Sequence, residues 1–362
     1  MNKPSARPTL RRTALALLCA GALAGAWAAM EAGPPALDPL DPLLRPAATA
    51  RQATSAVLIA VTRAGNRLVA VGESGIALYS DDGGHNWAQA QVPVSVTLTA
   101  VHFATADKGW AVGHSGVVLA TTDGGRSWVR QLDGRQIAAL PEDAEAVADG
   151  DPPPLPNAGD PLLDVFFLDE QEGFALGAFG LLLHTADGGA NWTRASARLP
   201  NPDGNHLYGM RRVGDRLYVV GERGAVFASQ DGGKRFDVLK TPYDGSYFGV
   251  AGGRDGEVVV FGLQGRAFAS SDHGASWHEV GGEVGGAWTG AVTLADGRIV
   301  MVGQAGDVRL QSASTDGFDM LQGRQPPLSA VAATADGRLL AVGPRGTHII
   351  DMASATQGST QP

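Results

Sequence analysis

The sequence predicts an all-β fold, a seven-bladed β-propeller of four-stranded antiparallel blades, and three observations predict it. A phrase of the form apolar-Gly-x-x-Gly recurs seven times along the 362 residues. A second phrase, close to Ser/Thr-x-Asp-Gly-Gly-x-x-aromatic, follows it in most copies. Fifty glycines beside 44% hydrophobic residues supply frequent turns and enough apolar surface for one large core.

The first phrase sets the blade count. It reads VGESG at Val71–Gly75, VGHSG at Val112–Gly116, LGAFG at Leu176–Gly180 and VGERG at Val220–Gly224. It continues as FGLQG at Phe261–Gly265, VGQAG at Val302–Gly306 and VGPRG at Val342–Gly346. The first glycines are separated by 41, 64, 44, 41, 41 and 40 residues, and an insertion at residues 131–160 accounts for the one long interval. Self-similarity at this period is the mark of a propeller, in which radial stacking buries sheets that could not be covered alone. Copy two illustrates a blade: strands are expected at Leu98–Phe103, Trp110–Gly113, Gly116–Thr121 and Trp128–Gln131, from alternation and the Gly/Asp turns between them.

The second phrase occupies the turn between third and fourth strands. It carries Asp82 and Trp87, Asp123 and Trp128, Asp187 and Trp192, Asp231 and Phe236, and Asp272 and Trp277. In this reading the carboxylate accepts turn N–H groups, glycine supplies a positive φ, and the aromatic packs between sheets. These residues are therefore structural. Copy seven has no such phrase and ends in a polar tail at 353–362. An open ring would expose two sheet edges, so the segment at 29–54, through residues 43–54, is expected to supply the closing strand of a propeller spanning 55–352.

Residues 1–28 read as a signal peptide. Lys3, Arg7, Arg11 and Arg12 precede an apolar run, and Ala26-Trp27-Ala28 offers a small-x-small cleavage site. Cleavage removes the single cysteine, Cys19, and no membrane span is expected to remain. It leaves 24 basic against 37 acidic side chains, a net charge of −13, which disfavours nucleic acid and anionic lipid as partners. The expected product is an exported, periplasmic monomer.

The Asp-containing turns resemble the Asp-box, or bacterial neuraminidase repeat. The whole cycle resembles the photosystem II stability/assembly factor family of seven-bladed propellers, over about residues 55–352. That resemblance implies a non-enzymatic, cofactor-free scaffold on the extracytoplasmic side of a membrane, with a membrane-protein complex as its partner. Some members in bacteria that do not photosynthesise are linked to exporters. The resemblance also implies an arginine-rich binding patch, matched here at Arg223 and Arg345 in two of the seven turns.

Strand direction places the VGxxG turns, the blade connections and the 131–160 insertion on one face, the top, with the Asp boxes beneath. Rigid scaffolds carry function on such loops. His206, Tyr208, Tyr247 and Trp288 begin the inner strands of blades four to six, and core packing is expected for the neighbouring Phe248. With Arg223, these residues form the expected partner-binding patch, since Trp, Tyr and Arg dominate binding hot spots. The insertion holds seven acids against Arg135 and reads as a solvated loop, or as an acidic arm toward a basic partner. Scattered histidines, among them His273 and His278, form no metal site. The enzyme alternative is a sialidase-like glycoside hydrolase. Glu73 and Glu222 could pair as its carboxylates, but they lie three blades apart and read as turn charges.

Overall fold

A computed structural model describes residues 40–143, 155–282, 285–313, 317–321 and 325–352. Residues 1–39, which include Cys19 and the expected signal peptide, residues 144–154 of the insertion and the tail at 353–362 lie outside the described residues. The sheets are six of four strands and one of three, each paired in chain order from the innermost strand outward. This is the seven-bladed β-propeller that the repeat predicts. The innermost strands are Leu58–Ala64, Leu98–Phe103, Leu162–Phe167, Leu207–Val213, Tyr247–Gly252, Trp288–Thr293 and Ala330–Ala333. Blade two runs Leu98–Phe103, Gly109–Gly113, Val118–Thr121 and Val129–Leu132, within two residues of expectation.

Seven apolar clusters lie between neighbouring blades and make the core. The second strands are buried along their length, Gly109–Gly113 and Ile299–Gly303 among them. Each outer-strand aromatic fills the seam toward the preceding blade. Trp128 packs with Val69 and Val71 of blade one, and Trp192 with Trp110 and Val112 of blade two. The ring closes where Leu58, Leu68 and Leu78 of blade one meet Leu340 and Val342 of blade seven.

The first glycine of six of the seven VGxxG phrases answers a close approach. A Cβ on Gly113 would lie 2.1 Å from the Thr97 carbonyl oxygen and 2.9 Å from the Leu98 Cα. That carbonyl accepts the His114 N–H at 2.9 Å, tying the blade connection to the turn. The contact recurs at Gly72, Gly177, Gly221, Gly262 and Gly343, each 2.1–2.3 Å from a carbonyl oxygen.

The Asp boxes are networks of local hydrogen bonds. Asp82 Oδ1 accepts the His85 and Asn86 N–H groups at 3.1 and 2.9 Å and the Ser80 hydroxyl at 2.8 Å. Asp123 accepts Arg126 N–H, Ser127 N–H and the Ser127 hydroxyl at 2.9, 3.0 and 2.6 Å. The Asn86 backbone and side chain, then Ser80, hold the Asp82 carboxyl down at about 2, and Ser276 and Ser270 do the same for Asp272. A carboxyl depressed on folding stabilises above its unfolded pKa of 3.8 and loses that contribution as pH falls toward the folded value. Melting temperature should therefore decline between roughly pH 4 and 2, and the Asp82→Asn, Asp272→Asn double variant should flatten that decline in melts taken across the range. An unchanged slope would show that the boxes do not carry the acid sensitivity.

Closure differs from expectation. Blade seven keeps three strands, Ala330–Ala333, Leu339–Gly343 and Gly346–Ile350, and residues 43–54 add no strand to it. They pack instead along the outside of blades one and two. Leu43 is buried with Val92, Val94 and Val96, and Ala47 N–H donates to the Val92 carbonyl at 3.0 Å. Arg130 Nη1 holds the Leu43 carbonyl at 2.7 Å. Pro42 and Pro46 lack the N–H that a ladder requires, which favours side-chain docking over strand pairing. Only the short 3-10 turn Ala53–Ser55 reaches blade seven, where the Thr54 carbonyl sits against Gly346.

Candidate functional site

Every innermost strand begins the same way. Its first residue is core: Leu58, Leu98, Leu162, Leu207, Tyr247 and Trp288 are each 0% exposed, and Leu328 occupies the equivalent place in blade seven. Opposite the second-strand glycine the register shifts, as between Leu98 and Ala100, so the next two residues both turn toward the axis. The second position forms a ring of Ile59, Thr99, Leu163, Tyr208, Phe248, Thr289 and Ser329 around a cavity of about 410 Å³. Beneath it the third position is small (Ala60, Ala100, Gly209, Gly249, Gly290 and Ala330) except for Asp164 in blade three.

This register corrects the expected patch. Tyr247 and Trp288 are not at the channel mouth. They are the aromatic counterparts of Leu58 and Leu98, and they fill the seams between blades. Tyr247 meets Tyr243 and Phe268 edge-on at 5.8 and 6.2 Å, and burial pushes its hydroxyl up to about 12. Trp288 packs with Phe261, Met301 and Phe318. Phe248, expected in the core, faces the channel instead. Arg223 and Arg345 are exposed on turns of blades four and seven. Arg345 borders a shallow groove with Ala305, Gln325, Pro326 and Pro327, while Arg223 adjoins Glu222 on the fourth turn.

The structure assembles a different aromatic run, across blades three to five. Phe179, on the third VGxxG turn, is 55% exposed. Its ring stands 4.8 Å from His206, which is 6.4 Å from Tyr208, which is 5.3 Å from Phe248. Edge-to-face geometry at these separations is favourable, and it carries the run from the top face into the channel. Glu222 braces it from the fourth turn. It accepts the His206 N–H at 2.9 Å and the Tyr208 hydroxyl at 3.2 Å. Burial first, and then the Glu222 charge, push the Tyr208 hydroxyl up to about 12, so it stays a protonated donor.

Deeper in, Asp164 is the one carboxylate and Arg211 the one cation among the described residues lining the cavity. Asp164 Oδ2 accepts the Met210 N–H at 2.8 Å and Arg211 Nη1 at 2.6 Å. The buried carboxylate thereby satisfies an inner-edge N–H of the next blade and holds a half-exposed guanidinium in the channel wall. Burial, followed by the charge of Arg211, holds the nearby His102 at about 4, so that ring is neutral at ordinary pH.

The carboxylates named for a glycosidase are both engaged in the scaffold. Glu73 accepts the Val57 N–H at 3.0 Å, and Glu222 does the equivalent for His206. The Tyr208–Glu222 contact pairs a phenol with a carboxylate, and that carboxylate is shared with the His206 N–H. No group of three or more His, Cys, Asp or Glu that could hold a metal is found among the described residues.

The insertion is anchored at both described ends. Asp133 caps a short helix, Gly134–Ile137, and Ile137 is buried under the second VGxxG turn. Asp143 pairs with buried Arg198, whose Nη1 also donates to the Gly233 carbonyl at 2.9 Å. Beyond it, Leu155 and Pro156 join Phe179 and Leu181 around a pocket of about 190 Å³.

Fold and turn chemistry define a seven-bladed propeller of the Asp-box type with an aromatic channel mouth. The chain belongs to the family described as Photosynthesis system II assembly factor YCF48, whose profile matches residues 85–146 and 155–318, more than half its length. It is similar to Photosystem II assembly lipoprotein Ycf48 of Synechococcus sp. (strain CC9902), 34% identical over 77 residues. That match spans 21% of this chain and less than a quarter (23%) of the relative. Among solved structures, YCF48 bound to D1 peptide superposes with a TM-score of 0.59 at 15% identity, covering 82% of this chain and 92% of that one. The GH74 enzyme of Niastella koreensis also superposes at 0.59 and 13% identity, over 83% of this chain and 53% of the enzyme. At such identities these likenesses speak to fold alone, which binding proteins and enzymes share.

Proposed function

We propose that this protein is a non-enzymatic, exported scaffold that binds a protein segment at the top-face channel mouth and serves as an assembly or stability factor for a membrane-protein complex. The observation that carries the reading is the continuous aromatic run Phe179–His206–Tyr208–Phe248, exposed at one end and open to the channel at the other. Family membership supports the assembly role. The D1 peptide named with one fold neighbour supports a peptide as the kind of ligand, and photosystem II or an exporter as the kind of complex. The lipoprotein relative and the leader at residues 1–28 support a periplasmic setting. No helix among the described residues is long and apolar enough to cross a membrane.

The enzyme reading is weaker because Asp164, the one carboxylate among the described residues lining the cavity, is occupied by Met210 and Arg211. Capture from solubilised native envelopes tests the proposal. The Tyr208→Ala, Phe248→Ala double variant should lose the partner by tenfold or more while keeping its melting temperature within a few degrees, as expected when anchors are removed from a binding site.

A further inference from the structure

The partner's chemistry can be read from what surrounds the aromatic run. Phe179 sits at a turn position that does not call for it. Its φ is +56°, and Ser74, Ser115, Arg223 and Gln264 hold the same conformation in other blades. A bulky side chain at positive φ is uncommon, and here it is spent on an exposed ring. Beside that ring, Leu155 is 64% exposed and Leu181, Pro156 and Phe179 wall the 190 Å³ pocket, a volume suited to one apolar side chain. From pocket to channel the path follows rings only, about five residues of extended chain in length.

The charge around this path is negative. Asp160 lines the pocket. Asp203 is exposed in the loop whose Gly204 touches the Phe179 backbone, and Asp244 is exposed beside Gly224 in the loop following blade four. Arg194 is already paired with Glu142 at 2.7 Å, and Arg211 with Asp164, leaving Arg223 against these acids. We infer that the channel mouth selects an extended partner segment that places an aliphatic or aromatic side chain in the Phe179–Leu181 pocket and carries lysines or arginines on its flanks. This rests on the docking reading above and adds the sign of the partner: a basic segment, where an arginine-rich face would take an acidic one.

Fluorescence anisotropy with three labelled nine-residue peptides tests it on the folded exported protein. One has leucine and phenylalanine anchors between lysine pairs, one has the same anchors between glutamate pairs, and one keeps the lysines with alanine anchors. The lysine-flanked apolar peptide should bind at least tenfold tighter than either other and weaken several-fold from 50 to 500 mM salt, values set by the experimenter on the scale of ionic screening. Phe179→Ser, which installs the residue found at Ser74 and Ser115 and so keeps the turn, should cost about tenfold. The Asp203→Asn, Asp244→Asn pair should flatten the salt dependence. Tighter binding of the glutamate-flanked peptide, indifference to Phe179→Ser, or no binding by any peptide overturns the inference. If envelope capture still depends on Tyr208 and Phe248 in those cases, the docking reading stands and only the partner's sign and anchor are wrong. If capture ignores Tyr208 and Phe248, the docking reading falls with it.

Discussion

Replacing Trp110 by alanine should lower stability by about 3–5 kcal/mol, measured as the shift in equilibrium guanidinium unfolding against the wild-type protein. The residue is 0% exposed, in the second strand of blade two. Its ring stacks on Phe167 of blade three at 3.4 Å and 4°, and its Nε1 donates to the Gly188 carbonyl at 3.2 Å. Truncation therefore empties a large volume in a seam that cannot collapse, since the blades on both sides are held by their ladders. It also removes one of two donors to that carbonyl, which keeps the Gln131 Nε2 bond at 3.0 Å. Trp110→Phe should recover most of the packing but not the hydrogen bond, with a loss nearer 1–2 kcal/mol. A Trp110→Ala protein within 1 kcal/mol of wild type would mean that the inter-blade seams do not carry the stability assigned to them.

The second large effect is expected at Gly113→Ala, where the added methyl meets backbone rather than a movable side chain. A Cβ 2.1 Å from the Thr97 oxygen cannot be accommodated by rotamer change. The blade connection must withdraw, breaking the His114 N–H bond to Thr97 and shifting the bulge at Leu98 that aims Thr99 and Ala100 at the channel. A loss of about 3 kcal/mol follows from overpacking plus one broken buried hydrogen bond. Gly232→Ala is the comparison. It has the positive φ of +77° but nothing within 4 Å of the new methyl, so conformational strain alone should cost about 1 kcal/mol. A loss at Gly113→Ala no larger than that at Gly232→Ala would indicate that the close approach yields to a small backbone shift, since Gly113 itself is extended.

The repeat made the architecture legible because both of its phrases report local backbone demands that recur in every blade. Leu58, Leu98, Leu162, Leu207 and Leu328 lie 14 or 15 residues before their VGxxG glycines, and so do Tyr247 and Trp288. Aligned that way, the two aromatics fall in the leucine column and are recognisable as core. Reading them by residue type, as hot-spot aromatics, placed them at the wrong surface. The bulge adds to the difficulty, since a one-residue shift turns two successive side chains the same way and defeats simple alternation. Asp164 was visible as the one departure in a column of Ala and Gly. Its partner Arg211 comes from the neighbouring blade at a distance along the chain that no periodicity gives. The meeting of Phe179 with His206 is likewise made by blade stacking. The docking of residues 42–50 on blades one and two depends on side-chain fit that Pro42 and Pro46 only hint at.

The central claim is that this propeller works as a binding scaffold through its top-face channel mouth, and quantitative capture with paired variants measures it most directly. The Tyr208→Ala, Phe248→Ala protein alters the mouth, while Lys108→Ala alters the opposite face, where Lys108 holds the Glu170 carbonyl at 2.6 Å. The account predicts that native envelopes yield the partner with wild type and Lys108→Ala alike, and that recovery falls tenfold or more with the mouth variant at matched melting temperature. Undiminished capture by a folded mouth variant, or loss confined to Lys108→Ala, would contradict it.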